Sequence, residues 1–240
     1  MQDDQTTLFL ICIGLCVGVI LVSIAYRQRA RLQRKREQAL TTLARRLGGN
    51  LIECGIRQQP KLTFEYNGYA ASVEYRSTGG RHPALYTRLL FHFQKKTPFG
   101  VHICPERFFS KIKKLIGDWE IQIGDASFDD KFMVKALDHA RVKAMLSPDV
   151  RQAMFELRAL GTNDHMELST GSTTLEIQKL SWLHTADLLM GMVTLGQQIL
   201  EGYLVAAAGA AALTPVSPGK EKRQDRIFCV VCKNVIEGSR

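Results

Sequence analysis

The chain has 240 residues, 45% hydrophobic and 23% charged, which is enough apolar material for one globular core, or for one core and a membrane anchor. That composition excludes a wholly disordered chain, and 19 Gly and 7 Pro without a fixed period exclude collagen-like and solenoid architectures. Six scattered cysteines do not make a disulfide scaffold, and the net charge of +9 points to nucleic acid or membrane until it is located along the sequence.

The first element runs from Leu8 to Tyr26, LFLICIGLCVGVILVSIAY, nineteen residues without a charge. About 20 such residues cross the roughly 30 Å of bilayer hydrocarbon as a helix, so 8–26 is predicted to be a single transmembrane helix. The segment 1–7 carries Asp3 and Asp4 and no cation, so it lacks the basic start of a cleaved signal peptide and is expected to be a short extracytoplasmic tail. Behind the span come Arg27, Arg29, Arg31, Arg34, Lys35 and Arg36. The positive-inside rule then places everything after the span in the cytoplasm of a bacterial inner membrane, N-terminus outside. These six cations are expected to contact lipid headgroups, each for about 1 kcal/mol. With them set aside, residues 37–215 carry 20 basic and 18 acidic side chains. So small an excess gives no folded face for a nucleic acid, and no nucleic-acid partner is expected.

Gly14 and Gly18 form a G-x-x-x-G within the span, a spacing that lets two transmembrane backbones approach and predicts a homodimer. Residues 27–49 are predicted to continue as a basic juxtamembrane helix, with Leu32, Leu40, Leu43 and Leu47 at helical spacing and Gly48–Gly49 as its stop.

Residues 50–213 read as an α+β domain with a largely antiparallel sheet packed by helices. KLTFEY and YAASVEYR alternate in polarity around Asn67-Gly68, a strong hairpin signal. YTRLLFHF and VHIC follow, joined by QKKTPFG, which is expected to close a second hairpin. Pro105 is expected to open a helix over PERFFSKIKKLIG, with strands at WEIQI and KFMVKA after it. Two helices are predicted near His139–Met145 and Pro148–Leu160, then a hairpin of HMELSTG and TTLEIQK, then a long helix from Trp182 to about Leu213. Its apolar stretch is too short and its earlier turns too polar for a second span, and its small residues predict close helix packing. Residues 214–226 read as a linker and 227–240 as a separate tail.

No phosphate-binding loop, dinucleotide fingerprint, hydrolase elbow or zinc-protease motif is present. Asp125, Asp129 and Asp130 do not match a calcium loop and read as local capping, with Phe128 and Phe132 in the core. Two metal readings remain. If QKKTPFG closes a hairpin, His92 and His102 oppose each other on one face with Cys104 beside them, a set that could bind zinc. In the tail, Cys229 and Cys232 form a C-x-x-C knuckle, half of a zinc ribbon. Its other ligands would come from elsewhere in the chain, another protein or a second copy; a redox pair, or a knuckle that binds nothing, are the other readings.

The stretch from Gly124 to Met154, GDASFDDKFMVKALDHARVKAMLSPDVRQAM, resembles a pattern in uncharacterised membrane-anchored bacterial proteins of a domain-of-unknown-function type. The resemblance implies an α+β cytoplasmic domain at the inner membrane and names no activity. Together these readings predict a membrane-anchored binding or scaffold module that meets lipid and another protein. A metal-dependent enzyme using the His92, His102 and Cys104 face, or a lipid-binding module using the Lys111–Lys114 helix, are the alternatives.

Overall fold

The computed structural model describes residues 2–52, 60–77, 84–106 and 120–208, of which residues 2–17, 25, 29, 32 and 120 are described in their backbone alone. Helix α1 spans Gln2–Leu47 without a break. The strands that follow are β1 (Asn50–Ile52), β2 (Lys61–Tyr66), β3 (Tyr69–Ser77), β4 (Leu85–His92), β5 (Val101–Pro105) and β6 (Glu120–Ile121). Next come the short helix α2 (Ala126–Asp129), β7 (Phe132–Ala136), α3 (His139–Met145), α4 (Pro148–Ala159), the strands β8 (Met166–Thr170) and β9 (Thr174–Lys179), and finally α5 (Ala186–Ala207). Among the described residues the strands form one sheet of order β1-β2-β3-β4-β9-β8-β5-β7-β6, antiparallel at every pairing. The α+β expectation with an antiparallel sheet packed by helices holds.

Local chemistry accounts for the elements. Asn67 and Gly68 both adopt positive φ, 49° and 80°, as a two-residue primed turn requires, and Tyr66 pairs with Tyr69 around it. Asp125 caps α2 by accepting from the Ser127 and Phe128 amides, and Asp129 accepts from the amides of Ile123 and Gly124 at 3.0 Å. The carboxylates of Asp125 and Asp129 therefore serve as backbone caps. Phe128 stacks on Phe132 with ring centroids 4.8 Å apart. Ser147 caps α4, with Pro148 in its first turn.

Helices cover one face of the sheet. Alternate residues Leu62, Phe64, Val73, Leu89, Phe91, Ile177, Leu168, Ile103 and Val134 are buried, which is the inward half of a period-two pattern. Across them lies α5, with Leu189, Met192, Val193, Ile199, Leu200 and Tyr203 buried. By length and composition α5 could cross a membrane, but this buried stripe makes it the central core helix. Its glycines allow the close packing: a Cβ on Gly196 would lie 2.3 Å from Leu89 Cδ2, and one on Gly202 would lie 2.4 Å from Val150 Cγ2 and 2.9 Å from the Met145 carbonyl. The end of α1 packs beside it through Ala39, Leu40, Leu43 and Ala44. Lys179 is fully buried and donates to the Arg158 carbonyl at 2.6 Å and to that of Asn163. It thereby closes the C-terminal end of α4, where a cation is favoured. Burial pushes its ammonium down to about 8.

One sequence expectation fails. The segment QKKTPFG does not join β4 to β5 as a hairpin. Phe93 N–H donates to Thr173 O and Thr97 N–H to Ser172 O, both at 2.8 Å, so the chain passes over the β8–β9 turn and β5 pairs with β7 and β8. Pro105 ends β5 opposite Phe132; beyond Glu106 the helix expected from PERFFSKIKKLIG lies outside the described residues.

Gly202→Ala should cost about 1–3 kcal/mol through overpacking against backbone. Gly191→Ala, whose Cβ would meet Leu160 at 3.4 Å, should be neutral or stabilising by up to about 1 kcal/mol through helix propensity. Denaturant midpoints of the two variants check the pair.

Candidate functional site

The sheet face opposite the helices is polar and ordered in rows. Register places Lys61, Glu74, Arg88, Gln178 and Glu167 in one row across β2, β3, β4, β9 and β8. A second row holds Ser72, Leu90, Glu176, Ser169, His102 and Lys135. Arg88 bridges the rows: its Nη1 donates to Glu74 Oε1 and its Nε to Glu176 Oε1, each at 2.6 Å. Its side chain is only 12% exposed, and Glu74 and Glu176 are 25% and 16% exposed. Burial works against the guanidinium charge, but the bonds and attraction to Glu176 and Glu74 outweigh it and hold Arg88 above its ordinary value.

Further along the face, His102 Nδ1 lies 3.5 Å from Glu167 Oε1. Burial and then the Lys135 ammonium push the imidazole down to about 4, so at neutral pH this is a contact of neutral imidazole with a carboxylate. Glu167 itself is pushed up, first by burial and then by Glu176. These groups hold one another in place.

The three residues read as a metal face do share this side of the sheet, but His92 and His102 are not opposed. His92 pairs with Ala70 and Thr174, whereas His102 pairs with Ser169 and Lys135. Strands β9 and β8 stand between their strands, three strand spacings or roughly 14 Å. Cys104 is a buried cysteine opposite Met133. Among the described residues no group of three His, Cys, Asp or Glu side chains is placed to hold a metal. Cys229 and Cys232 lie outside the described residues.

The basic stretch divides along α1. Arg27, Arg31, Arg34 and Lys35 are exposed, while Arg29 and Gly14 fall where only the backbone is described. Gly18 has open space around it. Arg36 departs from the headgroup role expected of it: its guanidinium carbon sits 3.5 Å over the Trp182 ring and 5.7 Å from that of Tyr75. Arg36 is four and seven residues from Leu40 and Leu43, so the helical repeat puts it on their buried side. Higher on α1, Arg46 pairs with Asp187 at 2.6 Å. Two open recesses flank the helix, one of about 390 Å³ between Arg34, Thr41, Arg45 and Leu51, the other of about 210 Å³ between Lys35, Thr42, His184 and Ala186. Neither the Arg36 stack nor the Arg88 bridge was found from sequence; the charges at alternating strand positions were the available signal, but their partners lie on strands distant in the chain.

The described fold is thus an α+β protein with one antiparallel sheet, helices on one face and an ionic lattice on the other. No family model and no curated protein matches the chain. Among solved structures, the crystal structure of the mycobacterial trehalose monomycolate transport factor A, TtfA, aligns with a TM-score of 0.46 at 10% identity, over 78% of this chain and 98% of that one.

Two outcomes test the site. Between pH 6.5 and about 4 the unfolded chain takes up a proton that folded His102 does not, so this group makes stability fall as the pH falls through that window. His102→Gln should flatten that slope in urea titrations run across the range. Arg88→Met, which leaves Glu74 and Glu176 without the cation between them, should cost about 3 kcal/mol, read as a lowered denaturation midpoint.

Proposed function

We propose that the chain is a single-pass protein of the bacterial inner membrane that carries a cytoplasmic α+β binding or scaffold domain on one continuous helix. The observation that carries this reading is the contrast along α1. Val19, Ile20, Leu21 and Val22 are consecutive, large, apolar and 57–70% exposed, whereas Leu40 and Leu43 on the same helix are fully buried in the domain. Consecutive residues point around the whole circumference of a helix, so no face of this stretch is covered by the domain, and lipid is the solvent that suits it. The exposed Arg27, Arg31, Arg34 and Lys35 favour the cytoplasmic side for the domain and anionic headgroups as their contacts.

A binding role is favoured over catalysis by the state of the polar sheet face, whose Arg88, Glu74 and Glu176 are engaged with one another and offer a fixed polar surface in place of a reactive group. Partner protein, homodimer and tail zinc belong to the same proposal. Cys229 and Cys232 would supply two thiolates to a shared tetrahedral ion.

Membrane fractionation with alkaline extraction and a reporter at each terminus tests the anchor: the chain should stay with the pellet, with its C-terminus cytoplasmic, and an extracytoplasmic C-terminus would overturn the reading. Metal content and mass of the purified protein, with and without Cys229→Ser and Cys232→Ser, test the tail. One zinc per two chains, lost together with the dimer in the variant, is the expected result.

A further inference from the structure

We infer that the chain's own tail docks on the sheet face opposite the helices, laying its apolar segment 227–236, IFCVVCKNVI, over Cys104 and Met133. The inference rests on burial and reach and depends on neither the membrane anchor nor the shared ion. Cys104 on β5 and Met133 on β7 pair with each other. Their strand neighbours Ile103, Phe132 and Val134 belong to the core beneath the helices, so alternation turns Cys104 and Met133 to the other face. Yet each is only 5% exposed. The described side chains around them on that face, His102, Lys135 and Glu167, stand in the same layer, where they can flank a methionine but cannot roof it. Burial is likewise the first cause that moves His102 down and Glu167 up. The cover therefore comes from outside the described residues.

Reach and topology select the tail. Segment 53–59 joins β1 to β2 and 78–83 joins β3 to β4; β2 and β4 stand six and four strands from β7, roughly 28 and 19 Å. Loops of seven and six residues, at about 3.3 Å per residue, cannot go that far and return. Segment 107–119 links β5 to β6 past β7, and α3 and α4 link β7 to β8 past β5. Both crossovers join parallel strands, and they share a hand only on a shared face, so the right-handed rule sends 107–119 to the helix side. The tail begins at the right place. Tyr203, near the end of α5, bonds the Phe99 carbonyl, just before β5 starts. From there, rounding the sheet and climbing β5 to Cys104 takes on the order of 30 Å, against roughly 60 Å for residues 209–227 fully extended.

The chemistry of the segment suits this ground. Ile227, Phe228, Val230 and Val231 supply the apolar surface that removes Cys104 and Met133 from water. Lys220, Lys222, Arg223 and Arg226 run just ahead of them. Glu167, whose contact at 3.5 Å is with the neutral imidazole of His102, is the carboxylate such cations meet on the way. The β5–β7 side of the polar face is thus occupied by the chain itself, and a partner that takes this side displaces the tail.

The test uses the full chain in detergent with the photoreactive p-benzoylphenylalanine in place of Phe228. After irradiation, peptide mass spectrometry should place the crosslink on residues 101–105 or 132–136 of the same chain. Mixing isotopically light and heavy protein before irradiation separates crosslinks within a chain from those between chains. A crosslink between chains gives the site to a second copy and overturns the inference, and so does a crosslink confined to α3, α4 or α5 or the absence of any crosslink to the sheet. The crosslink should persist in Cys229→Ser/Cys232→Ser, which separates docking from the shared ion. Independently, Cys104 should react with N-ethylmaleimide about ten-fold faster in Phe228→Asp/Val230→Asp than in the unsubstituted chain, with amide exchange in α5 unchanged to show an intact core. Equal alkylation rates in the two proteins overturn the contact.

Discussion

The pairing of β4 with β9 is the constraint on which the described architecture depends. It joins the meander β1-β2-β3-β4, built from residues near one another in sequence, to the second group of strands, whose order β9-β8-β5-β7-β6 reverses and interleaves the chain. Leu89 opposite Ile177 lies in this seam, and α5 seals it by laying Gly196 on both side chains. A sheet this wide would present a seam between two half-sheets without such a cover; with it, one core runs from Leu62 to Val134. The cost is a helix whose sequence must be apolar and small at once, which is why α5 has the composition of a membrane helix while serving as the centre of the fold.

On the opposite face the same pairing builds the ionic lattice. Arg88 reaches Glu74 on one neighbouring strand and Glu176 on the other, so a charge pattern invisible in any one strand becomes a continuous network once β4 and β9 meet. Half-buried and mutually satisfied, it fixes strand register as firmly as an apolar row would, because a slip of one residue would carry the charges into the core.

What the sequence made legible was local. The Asn67-Gly68 hairpin, the β8–β9 hairpin, both capped helices α3 and α4 and the burial of α5 follow from turn chemistry, capping residues and period, all short-range terms. The failures were pairings between distant strands. QKKTPFG has the length of a hairpin loop, and nothing within it announces that Phe93 and Thr97 will bond the β8–β9 turn; the His92–His102 opposition fell with that assumption. Arg36 was assigned with its basic neighbours because composition does not record azimuth, and azimuth sends it to Trp182. For a chain whose candidate site is a surface assembled from seven strands, sequence reveals which residues alternate outward and withholds which of them meet.

An unbroken helix also transmits phase. From Gly18 to Arg36 is eighteen residues, about five full turns, so Gly14 and Gly18 sit on the same side of α1 as Arg36, Leu40 and Leu43, the side that carries the domain. The domain therefore overhangs whatever packs against that glycine face, and two copies meeting there would have to splay apart beyond it to make room for both. Rotation of the anchor about its own axis would swing the whole sheet with it. The unbroken helix thus ties the bearing of whatever packs on that glycine face to the direction in which the ionic face is presented.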